Sequence, residues 1–240
     1  MSELPTDDPR TTGEYTRRSR GHSATGTVIL LGVVHDHPAS IYRVQKRVEA
    51  LEPDVLALEL SPIAVPLFEQ YASVEQTPPV LGGEMSAAIQ TASCDRIVGI
   101  DGPSTRFLGR LLHTLLREEG SPAAISAVSK RAASVTKYAL LCRLAAHLAA
   151  ATGMRVEVGG STSHDCTRRD EPAVQAAEEH RQIRQAETLL ETLSRSDAST
   201  YRARAREAHM VNRLSALRAD GDVAAVIGVG HLDAVADRLD

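Results

Sequence analysis

An apolar run beginning at Thr27 ends in Gly32-Val33-Val34-His35-Asp36-His37-Pro38, and no other stretch constrains the fold as much. Proline is tolerated in the first turn of a helix, where its missing N–H would go unpaired anyway, so Pro38 marks a helix opening directly after a strand. Ile41, Val44, Val48 and Leu51 then recur at helical spacing until Pro53, predicting a helix over about 39–51. Asp54 to Leu60 reads as a second buried strand, closed by Ser61-Pro62. Strand, helix and strand in this order form a βαβ unit, which commits the sheet to being at least partly parallel. Toward the other end, Val223 to Val229 repeats the design: a buried-strand run, then Gly228-Val229-Gly230-His231, then a helix-like tail. The expected fold is α/β, a mostly parallel sheet with flanking helices and a site at the carboxyl ends of its strands.

Residues 1–24 read as a disordered tail, because Pro5, Asp7, Asp8, Pro9 and Arg17-Arg18-Ser19-Arg20 leave too little apolar surface to offset the entropy of ordering. Residues 25–240 read as one domain, with a helical segment over 121–219 inserted before the last strand. Within it the periodicity predicts helices over about 62–76, 84–93, 104–119, 172–193 and 199–219, and a closing helix over about 232–239. Arg96 to Asp101 reads as a third strand and Arg155 to Gly159 as a short edge strand.

The chain has 240 residues, 42% of them hydrophobic, enough for a substantial core. Its 27 basic and 31 acidic side chains leave a net charge of −4, which argues against a nucleic-acid groove or an anionic membrane surface as partner. No apolar run approaches the roughly 18 residues of a membrane span. Cys94, Cys142 and Cys166 are far apart without a Cys-x-x-Cys pair, as expected of a reducing cytoplasm. Neither a phosphate-binding Gly-rich loop nor a Gly-x-Ser-x-Gly elbow is present, which counts against a P-loop NTPase and an α/β-hydrolase.

If the four apolar strands share one parallel sheet, their carboxyl ends bring together His35, with His37, and Glu59, Asp101 and His231. Ligands of open α/β sheets bind at that rim. Imidazoles and a carboxylate are the ligand types suited to Zn, Mn or Co, and a carboxylate on a buried strand needs a cation or a set of donors. Each residue also has a purely structural reading. His37 can cap the helix, Asp101 before Gly102-Pro103 suits a turn, and Glu84 after Gly82-Gly83 is favoured by the helix dipole. His164 and Cys166, one residue apart, have no second pair at zinc-finger spacing.

These segments together resemble the TraB/PrgY family, within the group that includes the TIKI proteases and the erythromycin-esterase and ChaN-like proteins. The resemblance rests on Gly32-Val33-Val34-His35, Pro53 to Leu60, Gly83-Glu84-Met85-Ser86-Ala87-Ala88-Ile89, Gly99-Ile100-Asp101 with Arg106, Arg206-Glu207-Ala208-His209-Met210, and Gly228-Val229-Gly230-His231. It implies that both Gly-x-x-His motifs converge with Glu59, Glu84 and Arg106 on one site, with Asp101 and His37 as further candidates. It also implies a metal-dependent hydrolase of a peptide or amide bond: His35 and His231 would bind a divalent Mn, Co or Zn ion, Glu59 or Glu84 would act as base, and Arg106 would stabilise an oxyanion. Other members are described as pheromone-shutdown or adhesion-regulating proteins, which gives a second reading: a non-catalytic protein that binds a peptide or small ligand. The chain departs from the pattern in reading Asp101-Gly102 where Asp-Arg is usual, and in lacking the membrane-spanning tail of many relatives. A third reading makes the Arg-rich helices over 178–218, with Arg202 and Arg206, a protein-binding surface.

Overall fold

The structure is a computed structural model that describes residues 8–21, 26–102, 137–138, 140–152, 156–160, 162–192 and 197–239. Five strands, β1 (Thr16–Ser19), β2 (Val28–Val33), β3 (Val55–Leu58), β4 (Arg96–Gly99) and β5 (Val223–Gly228), form one sheet in the order β1-β2-β5-β3-β4. β1 runs antiparallel to β2, and the other three pairings are parallel. The last strand in sequence therefore lies at the centre, between the two strands of the βαβ unit.

Alternate residues of the strands point to opposite faces, and both faces are buried. Leu31, Val33, Leu56, Leu58, Ala224 and Val226 share one core with the helices α1 (Pro38–Leu51), α2 (Val65–Ala72) and α3 (Gly83–Thr91). Helix α4, over residues 140–152, adds Cys142, Ala145 and Ala146 to the same core. Val28, Leu30, Val55, Ala57, Ala225 and Ile227 face the other way. There they meet Met210, Leu214 and Leu217 of the helix α6 (Asp197–Leu217) and Leu232 and Val235 of the helix α7 (Val229–Ala236). The helix α5 (Pro172–Thr192) precedes α6. No helix among the described residues is long and apolar enough to cross a membrane.

Four expectations need correction. The polar N-terminal stretch is no loose tail over its described part. It forms β1 and two short 3-10 turns, held because Tyr15 is buried beneath the Arg43 guanidinium, 4.7 Å from its ring centre, and because all four β1 residues pair with β2. The described residues of the expected edge strand at 155–159 join no sheet. The Tyr71 hydroxyl instead donates to the Val156 carbonyl at 2.7 Å and accepts from the Val158 N–H at 3.1 Å. The closing helix begins at Val229 rather than 232, which puts His231 inside its first turn. Finally, the late helices read as an Arg-rich surface also carry buried faces: α5 buries Ile183, Glu178 and Glu179, and α6 buries Met210 and Leu214. The expected helix over 104–119, with Arg106, lies outside the described residues.

Candidate functional site

The turn after β2 separates its two histidines. Asp36 adopts φ 61°, a left-handed conformation that Asp tolerates because its short polar side chain bonds locally. The usual same-side placement of residues two apart is thereby lost. The His35 side chain is 54% exposed, whereas His37 is fully buried. Glu84, in the first turn of α3, accepts from His35 Nδ1 at 2.7 Å and from the Asp36 N–H at 2.9 Å. The hydrogen bond to Glu84 is the main reason that the His35 imidazole is pushed up to about 9; burial opposes it, and the nearby charges of Glu84, Glu59 and Asp36 add to it. His35 is therefore an imidazolium at neutral pH, donating from Nδ1 to Glu84.

Glu59 follows directly on β3, and its main-chain N–H donates to Val226 O of β5 at 3.0 Å. Its carboxylate is 4% exposed, with Oε1 2.7 Å from Arg206 Nη2 and Oε2 accepting the Gly228 N–H at 2.5 Å. Arg206, on α6, grips Asp101 through Nε at 3.0 Å and Nη2 at 2.5 Å. Its Nη1 lies 3.3 Å from His231 Nε2. Arginine only donates, so His231 Nε2 accepts, its proton sits on Nδ1, and Nδ1 donates to Glu207 Oε1 at 3.0 Å. Asp101 first, then the Glu59 charge, hold the guanidinium more firmly protonated than usual. Gly228 lies beneath the two halves of this constellation. A first side-chain carbon there would sit 3.3 Å from Glu59 Oε2 and 3.5 Å from His35 Nε2, so glycine keeps the gap between them open.

The strand ends thus bring together Glu59, Asp101 and His231, with His35 and Glu84 beside them. They do so around Arg206 and Glu207, which the sequence reading did not place in the site. The signal was present: Met210, Leu214 and Leu217 mark the face of α6 that meets the sheet, and residues three and four before Met210 continue that face. Arg206 reaches these donors from α6 with its side chain still 40% exposed.

His37 belongs to a second cluster. Its Nδ1 accepts the Ala39 N–H at 3.1 Å as the cap of α1, so its proton is on Nε2, which donates to Glu178 Oε2. Cys166 Sγ lies 3.5 Å from that nitrogen and 3.8 Å from the carboxylate. Among the described residues this is the one set of three His, Cys, Asp or Glu donors within 4.8 Å of one another, yet it does not suit a metal. A metal would need the lone pair of Nε2, and the helix cap fixes the proton there. Burial first, and Glu178 second, push the Cys166 thiol up to about 11. Beside it, Arg43 donates to both oxygens of Glu179 at 2.8 Å, with both side chains buried. His164 packs edge-on against His37 and donates from Nε2 to the His35 carbonyl at 2.9 Å, so it pairs with neither Cys166 nor a metal.

The rim donors must also be judged as a metal site. Glu59, Asp101 and His231 are suitable ligand types, but each points its lone pairs at the Arg206 guanidinium, which fills the place between them. In this arrangement the residues do not fit a divalent ion. No known protein family, curated protein or solved structure matches this chain.

Proposed function

We propose that the chain is a hydrolase acting on a peptide or amide bond at the carboxyl rim of its sheet. The observation that carries this reading is a buried carboxylate and an imidazolium facing one gap above Gly228, from two different strand ends. Environments that hold one group as a base and its neighbour as an acid mark an acid–base pair. Glu59 takes a proton from water as the oxygen attacks the carbonyl carbon. The His35 imidazolium stabilises the oxyanion, and then gives its Nε2 proton to the amine nitrogen as the C–N bond breaks. Arg206 pairs with Glu59, His231 and Glu207 orient Arg206, and Glu84 holds His35 protonated.

The test is turnover of a mixed peptide library, read by mass spectrometry. Wild type should cleave, and Glu59→Gln and His35→Ala should each lose at least about 100-fold. A wild type that binds peptides without cleaving them, with or without added Mn, Co or Zn, would move the reading to the non-catalytic binding protein. One observation favours that second reading: both oxygens of Glu59 already hold partners.

A further inference from the structure

We infer that residues 162–168 form a strap that sets the geometry of the His35–Glu84 pair, and that His164 is its positioning residue, acting on His35 through the main chain. The effect on turnover rests on the hydrolase reading; the effect on the geometry of His35 does not.

A side chain is placed accurately only if the backbone that carries it is held. β2 ends at Val33, two residues before His35, and Asp36 stands in the left-handed region at φ 61°. The peptide group between His35 and Asp36 is nevertheless fixed at both ends. Its N–H donates to Glu84 Oε2 at 2.9 Å, and its carbonyl, that of His35, accepts from His164 Nε2 at 2.9 Å. The Asp36 carboxylate accepts in turn from the Thr162 N–H at 2.9 Å. Glu84 grips both the imidazole and the N–H side of this peptide. The bond from His164 is therefore the hold on the turn that comes from outside the pair.

The His164 ring is itself locked. Because Nε2 donates, Nδ1 is the acceptor, and the Gln182 amide donates to it at 3.0 Å. The second hydrogen of that amide goes to Glu178 Oε1 at 2.6 Å, so α5 fixes the amide that fixes the ring. Edge-on packing against His37, with centroids 4.8 Å apart, sets the plane of the ring. Two residues further on, Cys166 is buried with Sγ 3.8 Å from Glu178 Oε2, which ties the strap to α5 again. Beyond it the Arg168 guanidinium donates from Nη1 and Nη2 to Pro79 O, each at 3.2 Å, in the segment that leads into Gly83 and Glu84. The strap thus bridges the two pieces of chain that supply the pair: the turn after β2 and the approach to α3. Those pieces already meet closely, since a first side-chain carbon at Gly83 would run into Asp36 Oδ1.

The experiment is nitrogen NMR of the imidazole rings in the full chain, read through the ring carbon protons, for wild type, His164→Ala, His164→Gln and Gln182→Ala, with His35→Ala to assign the His35 Nδ1 resonance. That resonance reports the bond to Glu84, which a loss of stability alone does not move. His164→Ala should shift it toward the average of a freely exchanging ring, and His164→Gln, whose amide nitrogen stands where Nε2 stood, should restore it. Gln182→Ala should shift it the same way by a smaller amount. In peptide cleavage His164→Ala should lower kcat about 10-fold or more with KM nearly unchanged, again recovered by His164→Gln. A His164→Ala protein that melts lower with an unmoved His35 resonance would overturn the inference, as would a resonance that moves equally in His164→Ala and His164→Gln. If His164→Ala does not fold, Gln182→Ala decides by itself: a shifted resonance supports the strap and an unshifted one overturns it. Absence of cleavage by wild type would remove the hydrolase reading and leave the NMR comparison as the test of this inference.

Discussion

Two histidines from one turn, His35 and His37, enter two carboxylate clusters that behave in opposite ways. Around His35 the ring proton on Nδ1 goes to Glu84 and Nε2 is left facing the gap above Gly228. Around His37 the helix cap takes the Nδ1 lone pair and Nε2 is spent on Glu178, with no face left open. Burial, countered only in part by Glu178 and Glu179, moves His37 below its ordinary value, while Glu84 moves His35 up. The comparison teaches that the residue types of a functional site do not identify it. Which ring nitrogen is already committed, and whether a face stays open, decides between a working group and a structural one.

The contrast predicts that the inner cluster governs folding and the rim governs chemistry. The largest stability effect should come from Arg43→Ala, which leaves the buried Glu179 carboxylate uncompensated; urea unfolding should show a loss of about 3–5 kcal/mol. A loss below about 1 kcal/mol would break the contrast. Glu178→Ala orphans the His37 Nε2–H and should cost about 1–3 kcal/mol in the same assay. Smaller again is the pH effect at the rim. His35 titrates higher folded than unfolded, so its pairing with Glu84 stabilises fully below about pH 6.5 and is lost as pH rises through about 9. Glu84→Gln should therefore flatten that part of the stability profile. By NMR its His35 midpoint should fall from about 9 toward 6.5, while His37 should show no protonation step at neutral pH in either protein. The smallest effect belongs to the exposed Lys46–Glu49 pair on α1, where Glu49→Gln should change stability by less than about 0.5 kcal/mol.

The βαβ unit and the central strand were legible because parallel strands buried on both faces are written as unbroken apolar runs, as in Val223 to Ile227. The carboxylates at their ends were legible for the same reason, since a charge such as Glu59 is conspicuous beside such a run. Arg206 and Glu207 were harder to place, because they reach the rim through the packing of α6 and sit in a stretch crowded with other arginines. The parting of His35 from His37 depends on one non-glycine residue, Asp36, in a left-handed conformation that pattern reading does not anticipate. β1 escaped because its sequence is polar and its order comes from its neighbours: Tyr15 beneath Arg43 and the exposed edge of β2.

The rim is bonded to the sheet's pairing as well as resting on it. Glu59 donates to Val226 through its main chain and accepts from Gly228 through its side chain, so it is tied to β5 at two points. During synthesis β3 emerges long before β5. Until β5 inserts between β2 and β3, Glu59 has no Gly228 amide to accept, and the helix that carries His231 has not yet been made. The constellation can therefore form only after the sheet has closed around its central strand. A partly made chain carries His35, Glu59 and Glu84 without the constellation they later join.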